Sequence, residues 1–283
     1  MVLMDVLPLI TLTTDFGLAD AYVGSMKGVI LGIIPDVRLV DVTHQISPQD
    51  VRQTAYVLYT LYRFFPPHTV HLVVVDPGVG GARRAIAVRT AQGSFVGPDN
   101  GVFSYVMADQ PVEAIVELTN PRYRCPQPSQ TFHGRDIFAP AAAHLAAGVP
   151  IDQFGPSVVD PVTLPLPRLR VSPGGVSGEV LHIDRFGNAI TSIGRLVWEE
   201  ERLALEPAFG QIDVEAVRFR AHRVSVRAGG QEVQGVRRTY AEVVPGDALA
   251  LVGSAGHLEI AVREGNGARE LGLQLGDPVE LRW

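Results

Sequence analysis

The chain has 283 residues, of which 46% are apolar and 19% charged, with a net charge of −6 and a single cysteine. That length suits one large domain or two ordinary ones, and the apolar share is enough to bury a core. No basic field exists to hold nucleic acid or an anionic membrane, and Cys125 alone excludes an internal disulfide, which fits the cytoplasm.

The apolar start, Met1 to Leu12, carries Asp5 and lacks a basic lead-in. It reads as the approach to a first strand at 8–13, not as a signal peptide. No apolar run approaches the ~18 residues of a membrane span. Residues 20–33 place Val23, Met26, Ile30 and Ile33 on one helical face. A second strand follows at 37–42. Ser47-Pro48-Gln49-Asp50 predicts a helix start, with Ser47 as N-cap, Pro48 at the first position and Asp50 closing a capping box. Val51, Ala55, Leu58 and Tyr62 then face inward.

Residues 69–75 form a continuous apolar run, the signature of a strand buried on both faces. Strand 85–90 follows, then a turn at Asp99-Asn100-Gly101, a short helix near 101–108, a strand at 113–118 and a loop over 119–130. Ala139 to Ala147 is alanine-rich and helical. This alternation predicts an α/β domain with a largely parallel sheet over residues 1–160. Residues 161–175 form a Pro/Gly-rich linker. Beyond it, short strands at 176–184, 210–215, 218–227, 247–252, 257–262 and 278–282 predict a smaller all-β barrel domain, 176–283.

Four polar clusters could carry chemistry. Asp76 ends the buried run and opens Pro77-Gly78-Val79-Gly80-Gly81-Ala82-Arg83-Arg84. A carboxylate there lies at the sheet edge where α/β proteins bind ligands, and the glycines let a ligand approach the backbone. Arg83 and Arg84 bring positive charge back toward it; a plain surface ion pair is the alternative. Asp15, in Thr13-Thr14-Asp15-Phe16-Gly17, ends the first strand at the same edge. It could accept from a ribose diol or merely cap a helix. Thr131-Phe132-His133-Gly134-Arg135-Asp136 opens a helix, where Thr131 or His133 could cap and Arg135 and Asp136 could pair on the surface. The last cluster joins Asp184-Arg185-Phe186-Gly187-Asn188, Arg238-Thr239-Tyr240 and Ser254 to Glu259. An acid, an aromatic ring and an amide around a tight turn suit a flat heterocycle. H-x-x-x-H and H-x-H spacings are absent and arginines crowd Asp76, so no metal ligands are expected. No phosphate loop, dinucleotide fingerprint or serine elbow occurs.

Seven motifs stand in order: Thr-Thr-Asp-Phe-Gly (13–17), Asp-Val-Thr-His (41–44), Asp-Pro-Gly-Val-Gly-(x)2-Arg (76–83), Pro-Asp-Asn-Gly (98–101), Thr-Phe-His-Gly-Arg-Asp-Ile-Phe-Ala-Pro (131–140), Asp-x-Phe-Gly-Asn (184–188) and Ser-x-Gly-x-Leu-Glu-Ile-Ala-Val (254–262). Together they resemble the S-adenosyl-L-methionine hydroxide adenosyltransferase family over nearly the whole chain. The resemblance implies an α/β domain, a β-barrel domain and a homotrimer whose sites lie between one subunit's first domain and its neighbour's second. It implies hydrolysis of S-adenosyl-L-methionine to adenosine and L-methionine with no cofactor. The implied water-activating trio falls on Asp76, Arg83 and His133, and the ribose contact on Asp15. Phe186, Asn188 and Tyr240 fall at adenine, Asp184 and Ser254 at the methionine end, and Glu259 and Val262 on a lining strand. Halogenating relatives lack the trio and carry an insertion after the glycine loop, so both departures favour hydroxide. Tyr22 stands where those enzymes have serine. The alternatives are a chlorinase using the same substrate and a non-catalytic nucleoside-binding module.

Overall fold

The structure, a computed structural model, describes residues 7–206, 208–209 and 217–283. The chain divides into two compact units between Leu164 and Pro165.

The first unit contains β1 (Leu9–Thr14), α1 (Tyr22–Ile33), β2 (Arg38–Thr43), α2 (Val51–Leu61), β3 (Thr69–Val74), β4 (Ala85–Thr90), β5 (Gly93–Pro98), α3 (Ser104–Asp109), β6 (Val112–Glu117) and α4 (Ala139–Ala146). Its six-stranded sheet runs β2-β1-β3-β5-β4-β6. The pairs β2/β1, β1/β3 and β3/β5 are parallel, and β4 runs antiparallel to both neighbours. The largely parallel sheet expected from the sequence is therefore present, with one reversed strand. Every residue of β3 is buried, as its unbroken apolar run requires. Leu72 and Val74 join Met26, Ile30, Phe138 and Ala142 in one core. Val73 points the other way, into Leu58, Ile86, Phe95 and Val106. Period-two alternation thus feeds two cores, with α1 and α4 on one face and α2 and α3 on the other.

The start of α2 departs from the expectation. Asp50, not Ser47, is the N-cap, and its carboxylate accepts from Gln53 N at 2.8 Å. Ser47 and Pro48 stay outside the helix because Gln49 adopts φ 67°, which no helical turn tolerates. The expected inward face survives: Ala55, Leu58 and Tyr62 are fully buried.

The second unit is built of strands: β7 (Leu169–Ser172), β8 (Gly175–Ile183), β9 (Ala189–Thr191), β10 (Leu196–Glu199), β11 (Arg202–Leu205), β12 (Val217–Arg220), β13 (Ser225–Ala228), β14 (Gln231–Gln234), β15 (Val236–Arg237), β16 (Ala248–Val252), β17 (Leu258–Val262) and β18 (Pro278–Arg282), with α5 (Gly267–Leu271) between the last two. β10, β11 and β12 form a small sheet, and the other strands form a larger, barrel-like one. The strand expected at 210–215 lies outside the described residues. The one expected at 218–227 is broken by a helical turn at Ala221–Arg223, because β12 belongs to the small sheet and β13 to the large one. A strand that switches sheets must turn a corner.

Candidate active site

Asp15 and Asp76 emerge from adjacent strands. Thr14 is in register with Val74 across the parallel β1/β3 pair, so both carboxylates leave the sheet at its C-terminal edge. His133 arrives from another direction, just before a π-helical turn at Gly134–Phe138 that leads into α4. Such turns occur often at functional sites because they redirect side chains.

Glycine makes the convergence possible. At Gly80, φ is +75° and a Cβ would lie 2.3 Å from Gln130 O. Only glycine lets the 77–82 loop lie this close to the strand of chain that carries His133. Gly134 is similarly hemmed in by Phe132, Val74 and Met26.

Arg83 joins the two loops. Its Nε donates to Asp76 Oδ1 at 2.9 Å, and its Nη2 donates both to Asp76 Oδ2 and to His133 Nδ1, the latter at 2.7 Å. The Asp76 side chain is only 5% exposed and that of Arg83 10%, so water screens this pair little. The guanidinium also lies over the Phe138 ring, 5.1 Å from its centre. Burial, and then the charge of Arg83, hold the imidazole of His133 below the ordinary histidine range. Arg84, expected beside Asp76, turns away. It donates to Asp99 at 2.7 Å and to Asp160 at 2.6 Å. Arg135 and Asp136 do pair, at 2.7 Å, but Asp136 is buried and also accepts from Ser129 N. That pair shapes the loop before His133 and is no surface ornament.

A cleft of about 410 Å³ is lined by Asp15, Asp76, His133, Gln49, Thr131, Phe132 and neighbours. Asp15 is held from behind, where its Oδ2 accepts from Gln49 N at 2.8 Å. The loop carrying it is pinned through the Asp-Val-Thr-His motif. Thr14 Oγ1 lies 2.9 Å from His44 Nδ1, and Gly17 N donates to His44 O at 2.7 Å. His44 in turn meets Asp41, which Lys27 bonds at 2.7 Å. Burial opposes ionisation of Asp41, but these two partners prevail and keep its carboxyl below the usual range. Three rings, Phe16, Tyr22 and Phe132, meet edge to face or tilted, with centres 5.2–5.9 Å apart. Nothing in the sequence period marked them as a group; they meet because two loops converge on the start of α1.

The second unit has its own cleft of about 700 Å³. It is lined by Asp184, Phe186, Asn188, Tyr240, Ser254, Glu259 and Val262, all seven residues singled out from the sequence there. Asp184 organises the turn: Oδ1 accepts from Phe186 N at 2.9 Å and Asn188 N at 2.8 Å, and Oδ2 from Asn188 Nδ2 at 2.9 Å. Phe186 is left 75% exposed, an aromatic face with no cover in its own unit. Asn188 Nδ2 donates to Tyr240 OH at 3.3 Å, and Tyr240 OH donates to Glu259 Oε2 at 3.3 Å. Burial foremost, then Asp184, raises the Glu259 carboxyl, while burial and Glu259 push the Tyr240 phenol up to about 12. The Glu259 carboxyl packs into the space beside Gly253, where a Cβ would fall 1.6 Å from its Oε1 and push that side chain aside.

Arg238, part of the fourth polar cluster but given no contact of its own from the sequence, also lines this cleft. Its guanidinium lies 4.2 Å from the Trp198 ring centre, and it donates to Glu200 O. Gln49 was likewise read only as part of a helix start. Its neighbours in space, not its neighbours in sequence, bring it to the cleft.

Two family profiles cover the chain: SAM hydroxide adenosyltransferase N-terminal domain over residues 10–155, and the C-terminal domain of the same name over 178–280. A protein from Thermus thermophilus named (R)-S-adenosyl-L-methionine hydrolase is 42% identical over 95% of this chain and 97% of its own length. One of the same name from Salinispora tropica is 43% identical over 97% of each. A fluorinase from an Actinoplanes strain is 33% identical over 66% of this chain and 72% of its own. The crystal structure of an uncharacterised conserved protein from Thermotoga maritima superposes with a TM-score of 0.83 at 38% identity, covering 97% of this chain and 100% of that one.

Proposed function

This chain belongs to the S-adenosyl-L-methionine hydroxide adenosyltransferase family, and from that premise we propose that Asp76, Arg83 and His133 aim and polarise the water that attacks C5′ of its substrate. The protein is an enzyme that hydrolyses S-adenosyl-L-methionine to adenosine and L-methionine.

The chemistry sets the task. A sulfonium departs as a neutral thioether, so the leaving group needs no proton. The difficulty is the nucleophile, since water has a pKa near ~15.7. Water oxygen bonds to C5′, the C5′–S bond breaks with both electrons going to sulfur, and one water proton must go to a base. The observation that carries the reading is the double engagement of Arg83 with Asp76 and His133. A guanidinium cannot accept a hydrogen bond, so His133 Nδ1 carries no proton and Nε2 does. His133 then steadies the attacking oxygen as a donor, and Asp76 is the group left to take the proton. Arg83 fixes the Asp76 carboxylate by two hydrogen bonds and stabilises hydroxide character. Water must lie in line with C5′–S at roughly 3–3.5 Å.

Asp15 holds the ribose. In the second unit, Phe186 stacks on adenine, Asn188 and Tyr240 meet its edge, Asp184 and Ser254 take the methionine end, and Glu259 and Val262 line the wall. The assembly is a homotrimer in which the first-unit cleft of one copy is completed by the second-unit cleft of another. The exposed Phe186 ring supports that reading, because it has a use only when something covers it. The catalyst works in the cytoplasm without a metal.

Turnover of S-adenosyl-L-methionine in ¹⁸O-water tests the reaction. Adenosine should carry the heavy isotope at its 5′ oxygen, L-methionine should be unlabelled, and a chelator should change nothing. Formation of 5′-chloro-5′-deoxyadenosine in chloride, or consumption without adenosine, would refute it.

A further inference from the structure

Gln49 keeps a left-handed backbone, φ 67°, a region that glycine enters freely and that L-residues other than Asn and Asp enter at a cost. Its N–H is fastened to Asp15 Oδ2 at 2.8 Å, and the residue lines the same cleft as Asp15, Asp76 and His133. A glycine would make that backbone bond without strain. The chain instead carries a glutamine, exposed and among the residues lining that cleft, at a position where a side chain is disfavoured. Strain of this kind concentrates where a side chain is needed in one place.

We infer that Gln49 is a specificity-determining residue whose carboxamide, steered by the strained backbone, binds a ribose hydroxyl of the nucleoside alongside Asp15. This rests on the reading of Asp15 as the ribose contact. The chemistry is complementary. An ionised Asp15 only accepts, and part of its capacity is already taken by Gln49 N. A ribose diol both donates and accepts, and a carboxamide supplies the missing donor together with a further acceptor.

The test measures the affinity of adenosine, 2′-deoxyadenosine and 3′-deoxyadenosine by calorimetry, with thermal melts, for the native protein and for Gln49→Gly, Gln49→Ala and Asp15→Asn. Gln49→Gly should melt at or above the native temperature yet bind adenosine ~3- to 10-fold more weakly. Its discrimination against one of the deoxynucleosides should narrow by a similar factor. Gln49→Ala keeps the strain and should show the same binding loss without the gain in melting temperature, so it answers the question even if the glycine variant folds poorly. Native affinity and discrimination in both Gln49 variants, beside a loss in Asp15→Asn, would overturn the Gln49 contact and leave Asp15 standing. Native binding in all three variants would overturn both.

Discussion

Arg83 donates to His133 Nδ1 at 2.7 Å, and this one bond decides which nitrogen of the imidazole is left to meet a ligand. With Nδ1 filled by a cationic donor, Nε2 holds the ring's proton.

His133→Ala should therefore lower kcat by ~10²–10³-fold while adenosine binds almost as before. His133→Gln, whose amide nitrogen reaches near the lost Nε2, should recover part of the loss. Single-turnover rates check both. The pH profile carries the same signature. Burial, then Arg83, lowers the His133 pKa from 6.5, so the ring is neutral at pH 7 and activity should fall only in more acidic solution. An acid limb centred above pH 6.5 would contradict this arrangement.

Gly80→Ala should hurt activity more than folding. Its Cβ would meet Gln130 O at 2.3 Å, on a backbone already at φ +75°. The loop has to retreat, and Arg83 retreats with it. A stability loss of ~1–3 kcal/mol is expected from the strain, with kcat/KM falling at least ~10-fold from misplacement. Urea midpoints and steady-state kinetics separate the two effects.

Mixing tests whether the site is shared between copies. Asp76→Ala and Asn188→Ala should each be nearly inactive alone. Dissociated and reassembled together in equal amounts, random mixing in a trimer with sites between copies restores roughly a quarter of native activity. No recovery after verified mixing would place both residues in one copy's site.

His71 should contribute to loss of stability of the first unit in acid. It is buried, takes Thr11 Oγ1 at 2.9 Å, stacks on Phe95, and burial brings its pKa to about 4. A histidine with a depressed folded pKa contributes stability above its unfolded value, and that contribution disappears as pH falls. The window here runs from pH 6.5 down to about 4, across which ~3 kcal/mol should be lost. His71→Gln should flatten that part of the curve in urea unfolding.

Much of the fold was legible because burial on both faces leaves a plain mark. The run ending at Asp76 is apolar throughout, and β3 is buried throughout. The second unit was harder. β9 has three residues and β15 two, too few for any period to register. The clefts were legible where residues come in a contiguous motif, as in Asp184 to Asn188. What escaped was choice among equals and meeting at a distance. Arg83 and Arg84 are adjacent and chemically identical, yet only one bonds Asp76. Spacing could not separate them, because the partners of Arg84, Asp99 and Asp160, lie farther along the chain. The helix cap also misled: Ser47 satisfied a local rule, but the contact between Asp15 and Gln49 displaced it.

The stacking of Arg83 on Phe138 has a further consequence. With one flank against an aromatic plate and Nε and Nη2 already bonded, the guanidinium has little rotational freedom left to lose. The positive pole is set during folding, so in the proposed reaction no solvent need reorient around it as the C5′–S bond stretches. The affinity of the rest of the nucleoside is then free to act on alignment alone.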